Sequence, residues 1–163
     1  MRMDEPFHTD RIAHITLDDA SIIRRTPEVE HERRVAIADL LDENRTALCG
    51  EFAQHTGPYA LFVSVRDGRL SLRFTDAQAQ TALIAVPLPP FRGIIKDYFL
   101  MCEGYYEAIK RGTIDKIQTM DMARRSVHNE GSDLLRDQLA HALTLDEATA
   151  RRLFTLLCVL HIK

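Results

Sequence analysis

Ala13, Ile15 and Leu17 alternate with His14, Thr16 and Asp18, the period-two signature of a half-buried strand. The period changes after Thr26-Pro27-Glu28. Thr26 can cap a helix, Pro27 suits its first position, and Glu28 suits the positive end of the helix dipole. Val29, Ala36, Ile37, Leu40 and Leu41 then follow a helical stripe that ends near Asn44. A short strand is expected at 47–52, and Gly57-Pro58 breaks the chain.

The sharpest local signal comes next. Leu61, Val63 and Val65 alternate up to Arg66, and Leu70, Leu72 and Phe74 alternate after Asp67-Gly68. Asp-Gly suits a type I′ turn, so 61–74 predicts a β-hairpin with its apolar face on the core. A further strand is predicted at 81–86, stopped by Pro87, Pro89 and Pro90.

The second half reads as three helices. Phe91, Ile94, Ile95, Tyr98, Met101, Cys102, Tyr105, Tyr106 and Ile109 keep helical spacing, and Gly112 is placed to end that helix. Thr113 can cap the next, which runs to about Leu143, with a break allowed at Gly131. Thr144-Leu145-Asp146-Glu147 has the form of a capping box for a last helix ending near His161. Its segment 153–160 is apolar on most sides, which predicts burial between the sheet and the other helices or in a dimer interface. The expected fold is α+β: an antiparallel sheet of about four to five strands with about four helices, the last three consecutive and packed on the sheet.

A chain of 163 residues is about one domain, and it can bury enough surface to fold without metal or disulfide. Residues 1–10 are expected to be a flexible N-terminal segment of that domain. They lack the apolar core of a signal peptide, and the longest apolar run, 156–160, is far short of the ~20 residues that span a bilayer. A cytoplasmic protein with no membrane partner is expected. Net charge −3 argues against a general nucleic-acid coat. Cys49, Cys102 and Cys158 are odd in number and lie in apolar contexts, which reads as free buried thiols.

Candidate chemistry concentrates in 121–132. On a helix Asp121, Arg124, Arg125 and His128 share one polar stripe, with Asn129 beside it and Glu130 turned away. Two guanidiniums could hold a phosphate or carboxylate, and His128 could act as an acid or base near neutral pH. Asp121 pairing with Arg125 on a solvated face is the plainer reading. A second charged cluster, Glu30, His31 and Arg34 on the first helix, could complete a pocket, although Glu30–Arg34 also has the spacing of a surface ion pair. Arg151-Arg152 forms a third, with Arg152 expected to lie along the core edge. Arg66, Arg69 and Arg73 with Phe62 give the hairpin a face that could meet RNA. No metal is expected, since His31, His128 and His161 lack a close ligand pair, and no cofactor loop of the Walker or dinucleotide type occurs.

Four stretches carry a resemblance that covers about 12–161. They are Pro27-Glu28-Val29-Glu30-His31-Glu32-Arg33-Arg34, Pro90-Phe91-Arg92 leading to Lys96-Asp97-Tyr98-Phe99, Asp121 through Ser132, and Ala150-Arg151-Arg152-Leu153-Phe154-Thr155-Leu156. Together they resemble the bacterial uncharacterised protein family (UPF) 0262. The resemblance implies a cytoplasmic bacterial protein folding as one unit, and it implies no activity, cofactor or catalytic residue. The function expected from the residues is a regulatory or protein-interaction module, non-enzymatic and self-associating. The alternatives are a small enzyme or binding protein for an anionic metabolite, and RNA binding through the hairpin.

Overall fold

Asp67 and Gly68 both take positive φ, 53° and 72°, as a type I′ turn requires. The hairpin they close joins β3 (Tyr59–Arg66) to β4 (Arg69–Thr75), in register from Ala60 opposite Thr75 to Arg66 opposite Arg69. β5 (Thr81–Pro87) continues antiparallel on the far side of β4. This is a computed structural model, and it describes residues 9–18 and 27–160. Thr26, His161 and most of the 1–10 segment lie outside the described residues.

β1 (Ile12–Leu17) completes the sheet, in the order β1-β3-β4-β5, but runs parallel to β3. The sheet is therefore mixed and not antiparallel as the strand pattern predicts. The reason is connectivity: between β1 and β3 the chain passes through α1 (Pro27–Asp42) and β2 (Thr46–Leu48), a crossover long enough to bring it back in the same direction.

β2 is shorter than expected, and Gly50–Phe52 form a 3-10 turn instead of its second half. It pairs antiparallel with β6 (Leu143–Leu145) in a separate two-stranded sheet. The Thr144-Leu145 pair is thus strand and not capping box. Asp146 caps the last helix, its Oδ1 accepting the Thr149 N–H at 2.9 Å. The helices after β5 are α2 (Pro89–Arg111), α3 (Ile114–Leu139) and α4 (Glu147–Leu160), with β6 between the last two, so the three are not consecutive.

Gly112 ends α2 in the left-handed region, φ 68°, where its N–H donates to the Ala108 and Ile109 carbonyls. Gly131 does not break α3. A Cβ there would stand 2.1 Å from Cζ of Phe154, so the missing side chain is what lets α3 and α4 pack so closely.

One face of the four-stranded sheet, including Leu61, Leu72, Phe74 and Ile84, is buried in a core shared with Phe91, Leu135, Leu139 and the apolar residues of α4. α4 packs against α1 and α3 and is buried on most sides, as its composition predicts. Asn44, 8% exposed, locks α1 to the first strand. Its Oδ1 accepts from the Ile12 N–H and the Thr46 hydroxyl, and its Nδ2 donates to the Ile12 and Leu40 carbonyls. All four hydrogen-bonding positions of this buried amide are filled. Among the described residues no helix is long and apolar enough to cross a membrane.

Candidate functional site

Two dipeptides on different helices meet at one pocket. α3 supplies Arg124, Arg125 and His128, and α4 supplies Arg151, Arg152 and Thr155. Both sets have the same spacing, two arginines followed three positions later by a polar side chain. On a helix that spacing puts all three on one face. The Gly131–Phe154 approach brings the two faces together, and Tyr98 of α2 closes the side. The pocket holds about 270 Å³.

His128 is the most buried lining residue, at 8% exposed. Its Nε2 lies 2.8 Å from Thr155 Oγ1. The Thr155 hydroxyl donates to the Arg151 carbonyl at 3.1 Å, so it accepts from the ring, and the imidazole proton sits on Nε2. Tyr98 and Phe154 pack against the ring at centroid distances of 5.3 and 5.2 Å. Burial, with Arg151 and Arg124 adding their charge, pushes the imidazole down to about 4. At neutral pH His128 is then neutral, with its Nε2–H directed to Thr155.

The arginines are unequally compensated. Asp121 accepts from Arg124 in a short contact and from Arg125 Nε at 3.0 Å. The Arg124 hydrogen bond, opposed by burial and aided by Arg125, holds the Asp121 carboxyl below its usual range. Arg124 also lies over the Tyr105 ring, 4.8 Å from its centroid, and its buried Nε has no acceptor among the described residues. Arg152 donates to the Glu43 carbonyl at 3.1 Å. Arg151 has no carboxylate partner within ion-pair distance among the described residues. Among the described residues, both ion pairs at this pocket run to Asp121, and Arg151 and Arg152 form none.

The remaining candidates lie elsewhere. Asn129 lines a small neighbouring pocket with Arg151, and Glu130 is exposed. Glu30 pairs with Arg33 at 3.2 Å and not with Arg34, which is exposed. His31 lines a groove between α1, α2 and α4 that abuts the arginine pocket. On the hairpin, Arg66 pairs with Asp18 at 2.6 Å and Arg73 stacks over Phe62 at 4.6 Å, so two of the three arginines are engaged within the chain. Cys158 is buried, whereas Cys49 and Cys102 are only partly so, which corrects the expectation of three buried thiols.

His55 and Asp76 form a pair that periodicity could not reveal, since both sit in loops. His55 Nδ1 lies 2.7 Å from Asp76 Oδ2, and Asp76 Oδ1 accepts the Gln78 and Gln80 N–H groups. Burial raises the Asp76 carboxyl, but the His55 hydrogen bond and the two amides outweigh it and hold it low. The pair buckles the 55–56 and 76–80 loops together.

The sequence profile of the Uncharacterised protein family (UPF0262) matches residues 9–163. The "UPF0262 protein amb3341" of Paramagnetospirillum magneticum is 49% identical over 160 residues, covering 96% of this chain and 98% of its own. The "UPF0262 protein" of Novosphingobium aromaticivorans is 47% identical over 159 residues, covering 94% and 97%. That of Erythrobacter litoralis is 47% identical over 155 residues, with the same coverage of 94% and 97%. No solved structure matches the chain. With a profile match over nearly its whole length and relatives that align end to end, this chain belongs to the UPF0262 family.

Proposed function

We propose that the protein is a non-enzymatic binding module for a small anion, a phosphate or carboxylate, held between α3 and α4. The convergence of Arg124, Arg125, Arg151 and Arg152 on one pocket carries this reading. Guanidiniums crowded around a cleft repel one another, and a bound anion relieves that repulsion while accepting forked N–H pairs. Arg151, without a carboxylate of its own, is the group most ready to take one. The Arg124 Nε that lacks an acceptor supports the same reading. Binding is favoured over catalysis because the imidazole in the pocket has its Nε2–H engaged with Thr155 and its ring packed by Tyr98 and Phe154.

Thermal unfolding at low salt, with inorganic phosphate, pyrophosphate and citrate, tests this. An anion at 100 times its dissociation constant adds about 2.7 kcal/mol of stability. Arg125→Ala, at a side chain 68% exposed, removes that gain without disturbing the core. No response to any of the three anions would sink the reading.

A second reading rests on a separate observation. Of the seven large apolar side chains exposed among the described residues, five lie on α2 and α3: Leu100, Tyr106, Ile109, Ile114 and Met122. Such a concentration fits a face for self-association or a protein partner. Sedimentation of the wild type against Ile114→Glu and Met122→Glu tests it. A monomer at all concentrations that captures no partner removes it.

A further inference from the structure

The arginine pocket has a larger neighbour across Thr155. Thr155 and Tyr98 also line the larger groove between α1, α2 and α4, which holds about 580 Å³. The combined space falls within the range of about 300–1,000 Å³ typical of small-molecule sites.

The two compartments differ in character. The groove is walled by Val35 and Ala36 of α1, Phe99 and Cys102 of α2, and Cys158 and Val159 of α4. Burial pushes both thiols up, with the Tyr98 hydroxyl partly offsetting this at Cys102, so the sulfurs are neutral and behave as small apolar groups. The Tyr98 phenol is likewise raised by burial and beside Cys102, and stays protonated. The charged groups at the groove are Glu32, Asp39 and Glu103, all exposed. Tyr98 and Thr155 thus stand between a compartment with four arginines and one with an apolar floor and a carboxylate rim.

We infer that the ligand is an amphiphile with one anionic end: the arginines hold a phosphate or carboxylate, and an alkyl or aryl body lies in the α1–α2–α4 groove. The inference rests on the anion-binding reading above and adds the class of the ligand. Because Tyr98 and Thr155 belong to both walls, a head among the arginines lies next to a body in the groove, within reach of one molecule. The three exposed carboxylates at the groove disfavour a second negative group on the body, since like charges repel.

Calorimetric titration of the full chain with inorganic phosphate, butyl phosphate, octyl phosphate and octanol separates the possibilities, each probe kept below its micelle concentration. Affinity should rise with chain length, by roughly four-fold for each methylene that enters the groove. Octanol, lacking the head, should bind more weakly than octyl phosphate. Val35 is 44% exposed, so Val35→Gln should fold normally. It should cut the octyl gain by about five-fold or more, since a polar amide then faces the chain, and leave inorganic phosphate unaffected. Arg125→Ala should weaken every phosphate probe.

Equal affinity for inorganic and octyl phosphate, both sensitive to Arg125→Ala, overturns this inference and leaves the anion reading in place. No binding of any phosphate overturns both. A chain-length gain that survives Val35→Gln puts the chain outside the groove and overturns the inference. So does a dimer that Val35→Gln dissociates, with no chain-length gain, for then a second copy fills the groove.

Discussion

His128 donates its one ring proton to Thr155, and Thr155 passes its own to the Arg151 carbonyl. Burial between the helices, with the Arg151 and Arg124 charges, keeps the imidazole neutral. Its pKa falls from an ordinary 6.5 to about 4, so between those values the unfolded chain takes up a proton that the folded chain refuses. Stability therefore falls as pH drops through that window, and this group contributes no slope above it. Melting temperature measured from pH 7.5 to 4 should show the loss, and His128→Gln should flatten it. Identical pH profiles for the two proteins would refute the assignment. Asp76 and Asp121, both held low, add their losses only at the acid end.

Gly131→Ala opposes two effects of known size. Alanine favours a helix interior by about 1 kcal/mol over glycine. The new methyl, however, would meet Phe154, whose ring is fully buried and cannot swing away. Overpacking of this kind costs about 1–3 kcal/mol, so the variant should be less stable despite its better helix propensity. Denaturant unfolding of Gly131→Ala, Phe154→Leu and the double variant checks it. The double variant should be more stable than the sum of the singles, because the smaller side chain makes room for the methyl.

Asn44→Ala should be among the costliest polar substitutions. It strands both backbone groups of Ile12 and the Leu40 carbonyl in the core. A loss of roughly 3 kcal/mol, or about 6–12 °C in melting temperature, is expected. Asn44→Asp should be no better, since it turns two donors into acceptors aimed at carbonyls. A shift of under 2 °C (about 0.5 kcal/mol) in either variant would contradict this.

Arg151→Ala should separate binding from folding. With no carboxylate partner to lose among the described residues, the variant should unfold within about 0.5 kcal/mol of the wild type in anion-free buffer. In phosphate it should fail to gain the stability that the wild type gains. Equal stabilisation of both proteins by phosphate would remove Arg151 from the site.

The hairpin, the Gly112 helix end and the buried last helix were legible from local pattern, because each is written in adjacent residues. The direction of β1 was not, since alternation says that a strand is half-buried and says nothing of its partner's direction. Leu143–Leu145 is too short to show a period, and Thr144 and Glu147 together imitate a capping box. The site was half legible. Arg124, Arg125 and His128 stand out on one stripe, and Arg151-Arg152 can be seen apart from them. What joins them is the close crossing at Gly131, a property of two helices that neither helix's own periodicity contains. The repeated spacing of two arginines and a polar residue was the one available hint.

The two-stranded sheet has a consequence for synthesis. Thr46 pairs with Leu145, and the Arg45 N–H donates to Thr149, contacts that close a loop of about a hundred residues, the kind that slows folding. On the ribosome β2 is complete long before its partner strand exists. Until α4 emerges, the nascent chain shows an unpaired strand and the apolar sheet face that α4 will help to bury, a surface of the sort chaperones shield. α4, made after every strand and helix it packs with, is thus also the element that closes the core.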